Sequence, residues 1–143
     1  TYTDEELEDA IESNGITILE DNTALIGGEI LLVGRQDAAY PDGRAEITEL
    51  LKDADKSKFI IVADHQPLEA SENASNGVDL EVSGHTHSGQ IFPLGYLFRL
   101  AGILAYGEYH EDQCTVIVSS GFAGWGFPIR TQAHCEYVVI HIQ

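Results

Sequence analysis

Two closely spaced histidines are the residues of this sequence best suited to chemistry. His85 and His87 stand one residue apart, between Gly84 and Gly89, directly after the strand-like run Val78–Val82. Neutral imidazole is a common ligand of zinc, manganese and iron, and histidine is mostly neutral at pH 7. In an extended segment the two rings point to the same side, whereas in a turn they diverge toward separate ions, and the glycines favour the turn. The pattern indicates part of a metal site.

A third histidine repeats the arrangement of an apolar run followed by an imidazole. His65 comes after Phe59–Ala63 and two residues before Pro67, which is expected to end the strand. Ligands of open α/β sheets bind at the carboxyl ends of the strands, so we expect the three rings to converge there. A lone histidine is more often a surface or core residue, and that alternative stays open. The trio with its glycines favours the metal site.

The residues around these histidines resemble the carboxyl-terminal half of the calcineurin-like metallophosphoesterases. The resemblance rests on His65–Pro67 and Gly84–Gln90. It is strongest to a bacterial branch whose motif reads Gly-His-Thr-His-Gly-Gly-Gln, where Ser88 replaces the middle glycine. The segments Ser119–Phe122 and Phe127–Arg130 are also similar to the way in which that branch ends.

The resemblance implies an α/β fold and an incomplete centre. Residues 1–143 would form the carboxyl-terminal part of one metallophosphoesterase domain, a β-sandwich flanked by helices whose amino-terminal half is missing. Family members build their centre from five sequence blocks, and only the last two, a lone histidine and Gly-His-x-His, occur here. The bridging aspartate, the asparagine ligand and the proton-donating histidine are expected in the missing half, so no catalytic residue is assigned. A start at Thr1 without any methionine agrees with this interpretation.

The family arrangement also implies which ion each histidine binds. His65 and His85 would bind one divalent ion and His87 the other, with Mn, Fe or Zn as candidates. Two ions about 3.5 to 4 Å apart clamp the phosphoryl oxygens and turn a bridging water into a hydroxide nucleophile. The implied reaction is hydrolysis of a phosphomonoester or phosphodiester.

Three further polar residues are candidates for the site. Asp64 could orient a ligand or face solvent. Arg35 follows the apolar run Ile30–Val33 and could bind a phosphate oxygen of the substrate, or lie on the surface. Arg130 matches a family position, but a structural pair is the more frequent use of such a residue.

The charge of the chain limits its partners. Seven basic and 24 acidic residues give 7 − 24 = −17, which argues against binding to nucleic acid. A phosphate ester would be attracted only if metal ions supply local positive charge. No apolar stretch approaches the roughly 20 residues of a membrane-spanning helix. The compartment stays open between the cytoplasm and a membrane reached through a missing amino-terminal segment.

Three protein ligands split between two ions are too few to hold both tightly, so we expect the isolated chain to be nearly inactive. One alternative is a non-catalytic module with incidental metal binding, which could form homo-oligomers through the surface that truncation exposes. Another places His65, His85 and His87 together on a single zinc ion with one water. Cys114 and Cys135 are predicted to be free, buried thiols in strands.

The apolar pattern predicts a mixture of helices and strands. Helices are expected over Thr3–Ser13, where Thr3 and Glu6 form a capping box, and over Gly43–Asp53. A Gly-Gly pair predicts a hairpin within an antiparallel meander of the first three strands. A polar segment is expected over Leu68–Gly77, and a semi-helical segment after Gln90. The predicted strands are Ile16–Glu20, Thr23–Ile26, Glu29–Val33, Phe59–Ala63, Val78–Val82, Leu104–Tyr109, Cys114–Ser119 and Tyr137–Ile142.

Overall fold

An amino-terminal helix opens the computed structural model, which describes residues 3–41 and 43–142. This helix, α1, spans Asp4–Ser13. The Thr3 hydroxyl accepts a hydrogen bond from the Glu6 amide at 3.2 Å, and the Glu6 carboxylate accepts one from the Thr3 amide at 2.9 Å. These bonds satisfy amides that the first turn of a helix leaves unpaired, and they confirm the predicted capping box.

Six strands form one mixed sheet in the described part of the chain. Four parallel strands make its centre and one antiparallel strand borders each edge, in the order β1-β2-β3-β4-β6-β5. The strands are β1 Asn22–Ile26, β2 Ile30–Gly34, β3 Phe59–Ala63, β4 Leu80–Ser83, β5 Gly107–Glu111 and β6 Cys114–Val118. The short helices α2 Ile47–Leu50, α3 Ala70–Ser75 and α4 Leu94–Leu100 flank the sheet. The predicted α/β fold class is confirmed.

The core lies on one face of the sheet, under α2 and α3. Every second residue of β3 is fully buried there, as Ile60 and Val62 show, because successive strand residues point to opposite faces. Ile47 of α2 and Ala74 of α3 pack against them. Burying such aliphatic side chains contributes about 1.5 to 3 kcal/mol each.

The opposite face of the sheet is only partly covered. Phe59 and Ile61 of β3 are half-buried, although a continuous apolar run of this kind is typical of strands that are covered on both faces. Ile140 and Ile142 line a groove with Phe59 and Ile117, so the carboxyl-terminal segment covers part of that face. Residues 137–142 form no strand of the described sheet, and the predicted strand Tyr137–Ile142 is therefore wrong.

The amino-terminal strands differ from the predicted meander. The hairpin of β1 and β2 is confirmed, and its two glycines have positive φ values of 60° and 77°, as a type I′ turn requires. The predicted strand Ile16–Glu20 does not form. This segment crosses the end of β2 instead, where a Cβ built on Gly34 would lie 2.6 Å from the carbonyl oxygen of Leu19. Only glycine allows this close approach.

Smaller differences concern the length of elements and one cysteine. The helix predicted over Gly43–Asp53 is limited to α2, and the polar segment Leu68–Gly77 contains the helix α3. Cys114 is buried as predicted, and its burial raises its pKa to about 11, whereas Cys135 is exposed and lies outside the strands. Neither cysteine forms a disulfide.

Among the described residues, no helix has both the length and the apolar composition to cross a membrane.

Candidate metal centre

His65 and His85 are brought together by the two central parallel strands. Ala63 at the end of β3 pairs with Val82 of β4, and the Gly84 amide donates to the His65 carbonyl at 3.2 Å just beyond the strands. Both histidines leave the sheet at the same edge. Their Nε2 and Nδ1 atoms, respectively, are 3.0 Å apart, and their rings meet edge to face with centroids 4.9 Å apart.

The separation of these two nitrogens fits a shared metal ion. Two imidazole nitrogens that bind one zinc ion at about 2.0 to 2.1 Å lie roughly 2.9 to 3.4 Å apart for right-angled to tetrahedral geometry. Without a metal, one ring can donate its N–H to the other. Both rings are exposed, so an ion has free access from solvent.

His87 is separated from this pair by the turn of its loop. It begins the 3₁₀ turn His87–Gly89, and its Nδ1 atom is buried without a hydrogen-bond partner. A Cβ built on Gly121 would be 4.0 Å from that nitrogen. An unpaired, buried imidazole nitrogen is a suitable donor for an ion.

The described residues contain no group of three or more histidine, cysteine, aspartate or glutamate side chains able to hold an ion. Of the sequence-predicted metal ligands, the structure pairs His65 with His85 and leaves His87 apart. This arrangement gives no support to the alternative in which all three bind one zinc ion.

The histidine loop holds several residues in an unfavourable backbone conformation. Positive φ values occur at His85 (69°), His87 (49°), Ser88 (54°) and Gln90 (39°). Each costs of order 1 kcal/mol or more for a residue with a side chain, and such strain is concentrated at functional sites. Of the two glycines that flank the histidines, Gly89 has a positive φ of 81°, whereas at the other end of the motif His85, not Gly84, has this conformation.

A buried network of ion pairs supports the loop of His65. Asp64 is 5% exposed and binds the guanidinium of Arg44 at 2.8 Å, so it does not face solvent. Arg44 also contacts Glu69 at 2.9 Å. Burial acts to lower the pKa of Arg44, but the hydrogen bonds and charges of Glu69 and Asp64 prevail and raise it. The guanidinium therefore stays charged.

Arg35 borders this network through Glu69, without a contact to Asp64. Its side chain is buried, donates to Glu69 at 3.0 Å and to the Ala45 carbonyl at 2.8 Å, and lies 3.5 Å from Asp21. No observation tests the predicted contact of Arg35 with a phosphate oxygen, and it stays a prediction.

Arg130 and Gln90 hold the segment that follows β6. The Arg130 guanidinium donates to the carbonyls of His87 and Ser120 at 3.2 and 2.6 Å. The Gln90 side chain accepts from the Trp125 amide at 2.6 Å and donates to the Trp125 and Phe127 carbonyls at 2.8 and 3.2 Å. Sequence reasoning noted Gln90 only as part of the motif and missed this bridging role.

A fully buried carboxyl group lies in the strand that carries the histidine loop. The Glu81 carboxyl group of β4 accepts hydrogen bonds from the side-chain amide of Asn73 at 2.9 Å and from the Ser83 hydroxyl at 3.0 Å. Burial raises the pKa of Glu81, although these two hydrogen bonds act to lower it. The signal in the sequence was one acidic residue between the apolar residues Leu80 and Val82.

This buried carboxyl group should make stability depend on pH. The folded chain holds the Glu81 proton to higher pH than the unfolded chain, so its contribution to the free energy of unfolding falls as pH rises above the ordinary value of 4.5. We expect Glu81→Gln to be more stable than the native chain at pH 8 and to lose that advantage near pH 4. Urea unfolding at both pH values measures this. The exposed substitution Glu20→Gln is the control, and an equal effect of both variants would contradict the prediction.

Known proteins with similar sequences are metallophosphoesterases. An uncharacterized metallophosphoesterase of Helicobacter pylori (strain J99) is 38% identical over 132 residues, which cover 89% of this chain and 35% of the relative. An uncharacterized metallophosphoesterase of Aquifex aeolicus is 31% identical over 150 residues, or 94% of this chain and 54% of the relative. A transmembrane protein with metallophosphoesterase domain from Bos taurus is 38% identical over 86 residues, or 58% of this chain and 19% of the relative.

The chain belongs to the calcineurin-like metallophosphoesterase family, as its histidine motifs predicted. Its mixed sheet flanked by helices is consistent with part of such a domain. The chain spans about a third of the length of the Helicobacter relatives and about half of the Aquifex relative. No family model and no solved structure matches it. The names of these relatives indicate a family of phosphoesterases, which in general use divalent metal ions.

Proposed function

We propose that this chain supplies His65, His85 and His87 to the two-metal centre of an enzyme that hydrolyses phosphomonoesters or phosphodiesters. The observation that carries the proposal is the 3.0 Å separation of His65 Nε2 and His85 Nδ1 at the carboxyl edge of two parallel strands. His65 and His85 bind one ion, and His87 binds the other through its unpaired ring. Manganese, iron and zinc all accept imidazole ligands.

Bound divalent ions would neutralise phosphoryl oxygens and lower the pKa of a coordinated water. The role of the residues of this chain is to hold the ions and to orient the histidines that bind them. β3 and β4 fix the spacing of His65 and His85, while the strained loop directs His87 away from them. Ion pairs of Arg44 with Asp64 and Glu69 connect the two sides of the His65 loop. The proton donor to the leaving alcohol is expected outside this chain, and we assign no catalytic residue within it.

The proposal includes near-inactivity of the isolated chain. Three imidazoles leave most of the coordination shell of two ions to other ligands, so neither ion is held tightly. A chromogenic phosphodiester with added Mn²⁺ should therefore show no turnover. Turnover that His85→Ala abolishes would overturn this part of the proposal.

Metal binding by the chain itself tests the proposed centre. Calorimetric titration with Zn²⁺ should show weak binding that His85→Ala weakens by at least about tenfold, the lower end of the loss expected when even the surroundings of a metal ligand are disturbed. The control is His110→Ala, because His110 is exposed and lies 3.2 Å from Glu108, away from the strand exits. Equal losses in the two variants would indicate incidental binding and contradict the proposal.

The exposed apolar residues favour a second, non-catalytic candidate, in which the chain self-associates. Phe122, Trp125 and Phe127 are 83%, 76% and 74% exposed, and apolar surface of this kind is usually covered by another chain or segment. Light scattering tests this candidate: a homo-oligomer supports it, and a monomer at high concentration removes it.

A further inference from the structure

Each of the two histidine loops is fastened by one arginine. Arg44 binds Asp64 at 2.8 Å and Glu69 at 2.9 Å, and these carboxylates stand on either side of His65 in the chain. The guanidinium therefore closes the His65 loop across its base. Asp64 adds a second constraint, since its other oxygen accepts a hydrogen bond from the Gln66 amide at 3.1 Å.

Arg130 fastens the other loop through carbonyl groups. One of its terminal nitrogens donates to the carbonyls of His87 and Ser120, and the other donates to those of Gly121 and Ala123 at 3.0 and 3.2 Å. It thus connects the carbonyl of His87 to the turn after β6. His87 has a positive φ of 49°, so this bond acts on a residue whose backbone would otherwise relax.

The geometry of both contacts requires a guanidinium. Its planar fork presents several N–H donors in fixed directions and can bridge two or more acceptors, whereas a lysine ammonium acts as a point charge on a flexible stem. In the described residues, neither Arg44 nor Arg130 is hydrogen-bonded to an imidazole nitrogen. Both therefore act on the histidines through the backbone, which leaves the ring nitrogens free for ions.

We propose that Arg44 and Arg130 are the positioning residues of the two halves of the metal centre, Arg44 for His65 and Arg130 for His87. The inference rests on the proposed function, because it assumes that these histidines bind ions. In this inference, a different arginine positions the ligand of each ion. Loss of one arginine should therefore weaken one half of the centre and leave the other half in place.

The test follows the ring signals of individual histidines by NMR during titration with Zn²⁺. Arg44→Lys should raise the apparent Kd reported by His65 and His85 by about tenfold or more, as for other residues that orient metal ligands, and leave the response of His87 within about twofold. Arg130→Lys should give the reverse pattern. General destabilisation would weaken both responses together, so the opposite patterns identify positioning.

Arg35→Lys is the matched control. Arg35 is buried more deeply than Arg44 and shares Glu69 with it, but it does not contact Asp64. We expect this variant to lower the melting temperature while changing all three histidine responses by about twofold or less. Equal effects of all three arginine variants, or no effect of Arg44→Lys and Arg130→Lys, would overturn the inference. The variants Arg44→Gln and Arg130→Gln replace any lysine variant that fails to fold.

A metal-free measurement separates failure of this inference from failure of the proposed function. Amide hydrogen exchange should accelerate at Gln66 in Arg44→Lys and at Gln90 in Arg130→Lys, because the Gln90 amide donates to the same His87 carbonyl at 2.9 Å. If these changes occur but Zn²⁺ shifts no histidine signal in the native chain, the arginines hold the loops and the proposed function fails. If exchange is unchanged at both amides, the positioning role itself is wrong.

Discussion

Replacing Gly89 with alanine should destabilise the chain by about 2 to 5 kcal/mol and disrupt the His87 loop. Gly89 has a φ of +81°, which costs an L-residue roughly 1 to 2 kcal/mol. A Cβ at this position would also lie 2.6 Å from the Cα of Gly95 and 2.9 Å from the carbonyl carbon of Leu94. Overpacking against backbone that cannot move aside typically adds 1 to about 3 kcal/mol. Thermal or urea unfolding measures the sum.

Gly102→Ala is the matched control for the backbone conformation. Gly102 has a similar φ of +74°, but a Cβ there would meet nothing within 4 Å. This variant should show only the conformational cost of roughly 1 to 2 kcal/mol. If Gly89→Ala were no more destabilising than Gly102→Ala, the close contact between the histidine loop and the start of α4 would be wrong.

Replacing Gln90 with alanine should have the second largest effect. The variant loses three hydrogen bonds between this 9% exposed side chain and the backbone of Trp125 and Phe127. At about 1 kcal/mol each, with some recovery because the exposed segment regains water, we expect a loss of about 2 kcal/mol. The released segment should also move more freely. Fluorescence anisotropy reports this directly, because Trp125 is the single tryptophan.

Gln132→Ala provides the comparison for Gln90→Ala. Its side chain accepts one hydrogen bond, from the Gly95 amide at 3.0 Å, and so lies near the same loop without holding Trp125. We expect about half the destabilisation or less and an unchanged anisotropy. An anisotropy that stays constant in Gln90→Ala would show that Gln90 does not hold this segment.

The elements that the sequence predicted well are those defined by local patterns. The capping box of Thr3 and Glu6, the glycine hairpin and the strand Phe59–Ala63 each depend on neighbouring residues, and all three are confirmed. Ile16–Glu20 has an equally good local pattern for a strand. It fails because glycine at position 34 lets the backbone of Leu19 cross the strand end, a long-range contact that alternation cannot reveal.

The residues that position the histidines were harder to predict from the sequence than the histidines themselves. The three histidines could be found because each follows an apolar run. The partners Arg44, Glu69 and Asp64 are polar residues without any periodicity, and their pairing depends on how the chain folds between them. For Asp64 the sequence left two alternatives, and burial together with its ion pair decides against exposure to solvent. The positive φ of His85 arises from the turn as a whole and has no signal in its residue type.

Anomalous diffraction at the zinc edge, from crystals of the chain grown with Zn²⁺, would locate the ion that His65 and His85 are proposed to share. We predict an ion within about 2.1 Å of both His65 Nε2 and His85 Nδ1, with His87 outside its coordination shell. An ion held by all three histidines, or zinc bound only at other residues, would contradict it.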